Sequence, residues 1–194
     1  MLRFKGILVA GLLLLVGAHS SSAMERIVLS DVDGRRIAPL HGRNHKATVL
    51  IFITNDCPIA NASAPEIERI YRQYAPKHVG FYLVYVDAAL TASAARKHRA
   101  EYRYSCPAVL DPDHRLVKLA LARVTPEAAL FCADGKLVYH GRIDDRAIAF
   151  GQVRASPTRR DLREALDACL QGKPIPVNYV KAVGCTIADL GHKQ

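Results

Sequence analysis

Ala47–Thr54 (ATVLIFIT) is a continuous apolar run rich in β-branched residues, the pattern of a strand buried on both faces. Val79–Val86 (VGFYLVYV) is a second run of the same kind. Between them Ile59, Ile67, Ile70, Tyr71 and Tyr74 recur at mixed three- and four-residue spacings. This predicts a helix from just after Cys57-Pro58 to Ala75, which Pro65 interrupts and should kink. Strand, helix and strand in that order demand a parallel pair with a right-handed crossover. Thr91 is placed to cap a helix over Ala92–Tyr104. Asp111 caps another, with Pro112 in the first turn and Leu116, Leu119 and Ala120 facing inward.

Two shorter pairs of runs read as hairpins: Arg26–Leu29 and Arg35–Ala38 around Asp33-Gly34, and Ala128–Ala133 and Lys136–His140 around Asp134-Gly135. A two-residue turn suits the first of them. Ser156-Pro157 opens a last helix with Leu162, Ala165, Leu166, Cys169 and Leu170 on one stripe, closed by Gly172. The final segment, Lys173–Gln194, carries Pro174, Pro176 and Gly184 and reads as an extended tail. The expected class is therefore α/β, a mixed central β-sheet flanked by helices, with an N-terminal β-hairpin and an extended C-terminal tail.

The first residues stand apart from this pattern. Arg3 and Lys5 precede the apolar stretch Ile7–Ala18, about a dozen residues and short of the ~20 that span a bilayer. Ser21 and Ala23 then occupy the positions a signal peptidase reads. This is the layout of a cleaved secretory signal over residues 1–23, with cleavage after Ala23. The expected organisation is that leader, one domain over residues 24–172, and the tail over residues 173–194. The expected location is periplasmic or secreted, with no stable membrane insertion after cleavage.

Composition adds little: 194 residues, 50% hydrophobic and 23% charged, values that exclude a disordered or collagen-like chain. The formal net charge of +9 is scattered. Its only cluster, Arg35, Arg36, His41, Arg43, His45 and Lys46, lacks interleaved aromatics, so nucleic-acid binding is not expected. His41 and His45 share a loop without a third ligand, so neither a metal nor another cofactor is expected. His98, His114 and His140 read as solvated side chains. Asp144 and Asp145 between Arg142 and Arg146 read as a local charge cluster.

The five cysteines do change the picture, because a chain of this length needs none of them to hold its fold. Cys57 directly follows a buried strand, and Pro58 sits where a helix should begin. Unpaired N–H groups and the positive end of the helix dipole favour thiolate there. Such settings bring a thiol from ~8.5 into the range of ~3.5–7.5.

At these residues the chain resembles a known family. Leu50–Pro65 (LIFITNDCPIANASAP) is similar to the active-site segment of thioredoxin-like redoxins, the group that includes the alkyl hydroperoxide reductase/thiol-specific antioxidant domain. Pro65 eight residues after Cys57, the Thr125-Pro126 pair before a late strand, and the Asp134-Gly135 hairpin match as well. The resemblance covers roughly residues 26–172 and implies a thioredoxin fold in which Pro126 is a cis-proline beside the reactive sulfur. X-Pro is also the only bond where cis is cheap. The chain departs from the thioredoxin pattern at Ala60, which replaces the second cysteine of Cys-x-x-Cys. Asn61 likewise replaces the second cysteine of a copper-delivery Cys-x-x-x-Cys. Thr54 fits the peroxiredoxin threonine, but Leu50 replaces the proline, and Arg123 and Arg142 are loose substitutes for the arginine that polarises peroxide.

A thiolate oxidised by a disulfide or peroxide needs a second thiol. Cys185, beside Gly184 in a tail able to swing over the site, and Cys106 are the two candidates, while Cys132 and Cys169 read as small core residues. Otherwise an external thiol reductant completes the cycle. The expectation is an exported thiol–disulfide oxidoreductase acting on protein or small-molecule thiols and disulfides. Cys57 attacks, Thr54 hydrogen-bonds it, Pro126 shapes the substrate groove and Cys185 resolves. A peroxide reductase acting on hydroperoxides, or a redox-inert binding module of the same fold, is the alternative.

Overall fold

The computed structural model describes residues 26–42 and 44–190. The leader expected over residues 1–23 lies outside the described residues, as does Arg43. The chain runs β1 (Leu29–Asp31), β2 (Arg36–Ile37), β3 (Ala47–Ile53), α1 (Pro58–Tyr74), β4 (Val79–Tyr85), α2 (Ala92–Glu101), β5 (Ala108–Leu110) and α3 (Arg115–Ala120). It continues through β6 (Val124–Thr125), β7 (Glu127–Cys132), β8 (Leu137–Gly141), β9 (Ala147–Ala149), β10 (Gln152–Val153), α4 (Asp161–Leu170), β11 (Tyr179–Val180) and β12 (Cys185–Thr186).

Eight strands form the main sheet in the order β11-β8-β7-β3-β4-β5-β1-β2. β3, β4 and β5 are parallel, whereas β7 runs antiparallel to β3 and to β8. β3 thus lies at the centre, and all seven of its residues are buried. Its side chains alternate between two packed layers. Val49, Ile51 and Ile53 join Ile67 and Ile70 of α1, Ala95 of α2, and Leu162 and Leu166 of α4. Leu50 and Phe52 join Leu116 and Ala120 of α3 on the opposite face. Among the described residues no helix is long and apolar enough to cross a membrane.

Both Asp-Gly hairpins are closed by three-residue loops instead of two-residue turns. Asp31 N–H donates to Arg35 O and Gly34 N–H to Asp31 O, and the Cys132–Lys136 loop repeats this pattern. The glycine is the last loop residue in each, at φ 86° for Gly34 and 78° for Gly135, a left-handed position that suits it.

α3 starts later than its capping signal suggests. Asp111 is fully buried, and its carboxylate accepts the N–H groups of Arg115, Leu116 and Val117 at 2.8, 2.9 and 3.0 Å. Asp111→Ala would strand those donors and should cost about 2 kcal/mol. The check is the urea midpoint, with Asp111→Asn recovering part of the loss because its amide oxygen still accepts. α4 begins at Asp161 and not at Ser156-Pro157, because Asp145 holds the intervening turn through the backbone N–H groups of Thr158 and Arg159.

Two expectations are corrected here. Cys132 and Cys169 are bonded as a disulfide with Cα atoms 6.2 Å apart, joining the end of β7 to the last turn of α4. The apolar stripe correctly turns Cys169 inward, but periodicity does not tell which residue faces it. His98 and His114 are buried instead of solvated. His114 Nε2 lies 2.7 Å from Val86 O, and His98 sits between Tyr85 and Asn61.

Candidate functional site

Cys57 is the N-cap of α1, at the point where the loop leaving β3 turns into the helix. Its Sγ lies 2.9 Å from Thr125 O, directly before the cis peptide bond Thr125-Pro126. The cis-proline expected from the sequence is therefore present, one residue from the carbonyl that faces the sulfur.

The second sulfur in the site belongs to Cys185. β12 pairs antiparallel with β6 in the register Cys185↔Thr125 and Thr186↔Val124, and Ile187 N–H donates to Arg123 O. This pairing brings Cys185 Sγ to 2.6 Å from Cys57 Sγ, two free thiols approaching the ~2.05 Å of a disulfide. Gly184 makes the approach sterically feasible, since a Cβ there would overlap the Thr125 carbonyl. Cys106 is a fully buried free thiol elsewhere, and burial first, then the charge of Glu68, pushes it up to about 12.

The two facing sulfurs differ in acidity. Burial pushes Cys57 up, but hydrogen bonds from the Cys185 thiol, the Ala60 N–H, the Thr125 hydroxyl and the Cys185 N–H together hold it below the ordinary thiol value. The sulfur makes no full capping bond as a thiol, yet the Ala60 N–H favours its ionised form. Cys185 is pushed up to about 11 by burial, then by its hydrogen bond to Cys57 and by the charges of Cys57 and Asp56. Of the two, Cys57 is the easier to ionise and Cys185 the one that keeps its proton to higher pH.

Thr54 does not hydrogen-bond the sulfur. Its hydroxyl meets that of Thr125 at 3.5 Å, so the threonine in contact with Cys57 is the one beside the proline. The β3–α1 loop is braced by a chain of polar groups. Asn61 Nδ2 donates to Asn55 O at 3.1 Å, leaving its Oδ1 to accept from His98 Nε2 at 2.9 Å. His98 Nδ1 then meets the Tyr85 hydroxyl at 2.8 Å, and burial holds the imidazole below its ordinary value. β6 is braced by Glu127, whose buried carboxylate accepts the N–H groups of Arg123 and Val124. An acidic residue opening an otherwise apolar strand was the available signal for Glu127. Nothing local singles out Asn61 or His98.

A groove of about 350 Å³ opens beside the sulfurs, between Pro58 and Ile59 of α1, Pro126, the tail residues Ala182 and Val183, and the β9–β10 hairpin. That hairpin exposes Ile148 and Phe150. Arg142, at the groove's edge, is held by Asp161 at 2.7 Å. Among the described residues no group of three or more His, Cys, Asp and Glu gathers to hold a metal ion.

Residues 20–153 match the Redoxin family. Similar solved structures include an uncharacterized conserved protein from Geobacillus kaustophilus, 29% identical over 84% of this chain and 88% of that one, with a TM-score of 0.74. A hypothetical protein from Sinorhizobium meliloti 1021 is 27% identical over 83% and 89%, with a TM-score of 0.73. A secreted Mycobacterium tuberculosis disulfide oxidoreductase homologous to E. coli DsbE shares the fold at 17% identity, over 76% of this chain and 96% of that one, with a TM-score of 0.51. No curated protein matches. The Redoxin match spans more than half of the chain and takes in β3, Cys57, α1 and the cis-Pro126 segment, so the protein belongs to the thioredoxin-like Redoxin family.

Proposed function

We propose that the protein is an exported thiol–disulfide oxidoreductase in which Cys57 is the attacking thiolate and Cys185 the resolving thiol. The observation that carries this reading is the 2.6 Å separation of the two sulfurs. In the reductive direction Cys57 thiolate attacks a substrate disulfide. A Cys57–substrate disulfide forms and one substrate sulfur leaves as thiolate with the electron pair. Cys185 gives up its proton to that thiolate and attacks Cys57 Sγ. The Cys57–Cys185 disulfide forms and the second substrate thiolate is released. Two electrons have passed from the cysteine pair to the substrate, and an external thiol reductant restores the pair. The same steps reversed oxidise a substrate dithiol.

Thr54 acts through Thr125 and Pro126 bounds the groove that receives substrate. Arg142 is engaged by Asp161, which favours disulfide exchange over peroxide as the reaction of this thiolate. The signal-like sequence of residues 1–23 and the Cys132–Cys169 disulfide support export, since such bonds persist in oxidising compartments.

The test is the pH dependence of the reduced protein's thiolate absorbance, with Cys57→Ser as the reference. Cys57 should ionise below the ordinary value of a free thiol, and Cys185 only near 11. Reactivity at Cys57 should therefore rise with pH through that lower value and stay flat above it. A Cys57 transition at or above the free-thiol value defeats the proposal.

A further inference from the structure

β6 is a short strand whose only strand partner among the described residues is β12, and β12 lies beyond the residues that match the family. Cys57, the sulfur that must meet substrate, is only 1% exposed, with Cys185 against it. The stretch Ala182-Val183-Gly184-Cys185-Thr186 therefore occupies three places at once. Ala182 and Val183 wall the groove, Gly184 lies against the Thr125 backbone, and Cys185 meets the reactive sulfur.

We propose that this strap is an internal surrogate substrate. A protein substrate reaches Cys57 by displacing β12 and pairing its own extended cysteine-bearing segment with β6, in the register Ala182–Thr186 now holds. This inference rests on the proposed exchange reaction and specifies the class of substrate for it. The register sets the requirements. The substrate cysteine takes the place of Cys185. The residue before it must be glycine, because a Cβ at that position overlaps the Thr125 carbonyl oxygen and approaches the Thr125 carbonyl carbon to 2.7 Å, both backbone atoms. The two residues before that glycine are apolar and enter the groove between Pro58, Pro126 and Phe150. Strap and substrate exclude each other on β6, so return of β12 both delivers Cys185 to the mixed disulfide and expels the product strand.

The experiment uses the full chain carrying Cys185→Ser, which keeps the strap but removes its thiol. The probes are a pentapeptide with the sequence of residues 182–186, its cysteine activated as a disulfide with thionitrobenzoate, and the same peptide with valine in the glycine position. Cys57 thiolate attacks the peptide sulfur, the new disulfide forms, and thionitrobenzoate departs as a coloured thiolate with the electron pair. The glycine peptide should react about tenfold faster or more, the penalty expected of an overpacked contact. A second variant, Gly184→Val on the same background, should lift the strap and speed alkylation of Cys57 by iodoacetamide by about tenfold or more. Equal rates for the two peptides overturn the register while leaving the exchange reaction standing. Unchanged alkylation in a folded Gly184→Val protein overturns the cover. Failure of Cys57 to form a mixed disulfide with either peptide overturns the exchange reaction as well. Should Gly184→Val not fold, the peptide comparison alone decides.

Discussion

Cys57→Ser should lower the rate of thiol–disulfide exchange by more than about a thousandfold, the scale on which loss of an essential nucleophile acts. A serine hydroxyl stays protonated, whereas at Cys57 burial raises the thiol but hydrogen bonds from the Cys185 thiol, the Ala60 N–H and the Thr125 hydroxyl outweigh it and bring the thiol below its ordinary value. Cys185→Ser should fail differently. The first attack proceeds, but the Cys57–substrate disulfide persists until outside thiol is added, and appears as a covalent adduct in the mass of the intact chain. The acidities of the pair explain the timing. Cys185 is pushed up to about 11 first by burial and then by its hydrogen bond to Cys57 and by the Cys57 charge. Once Cys57 is in a mixed disulfide its charge is gone, and Cys185 becomes easier to ionise when its attack is needed. Unchanged turnover in Cys185→Ser, with no adduct, would remove it from the cycle.

Removing the other cysteine pair should affect stability and not chemistry. Cys132 and Cys169 are 37 residues apart in sequence, and closing a loop of that length is worth roughly 3–4 kcal/mol in the chain-entropy account. The Cys132→Ser, Cys169→Ser double variant should melt about 10 °C lower. Its exchange rate well below that temperature should match the unmodified protein. Cys132 pairs with Ala47 at the start of β3, whereas Cys57 follows the far end of that strand. Seven residues at ~3.3 Å each separate the two ends by roughly 20 Å. Thermal unfolding followed by circular dichroism, beside an exchange assay on the same sample, checks both halves. An unchanged melting point would mean the cross-link does not constrain the unfolded chain. A lowered exchange rate in the still-folded variant would tie the staple to the site.

The elements with strong local signals were legible in the sequence. The apolar runs of β3 and β4, the helical spacing of α1, the Thr91 cap of α2 and the cysteine at the α1 start each depend on a few neighbouring residues. The weak points were short or remote. β5, β6, β9 and β10 span two or three residues each, too few for a period to declare itself. Thr54 stands three residues before Cys57, where a hydrogen bond to the sulfur was expected, but β3 aims its hydroxyl at Thr125. His98 lies on a polar helix, yet Tyr85 and Asn61 on two other elements enclose it.

By itself the amino-acid order determined the parallel crossover unit, the buried central strand, the placement of Cys57 at a helix start, and the short list of sulfurs able to answer it. Tertiary structure alone brought one of those sulfurs to Cys57. Cys57 and Cys185 are 128 residues apart and meet because β6 has an edge for β12 to pair with. Cys132 meets Cys169 because α4 packs across the end of β7. Local order records the backbone preference of each segment, with periods of about two or 3.6 residues. It holds no term for which distant segment takes a vacant edge, which is settled only when the whole core closes.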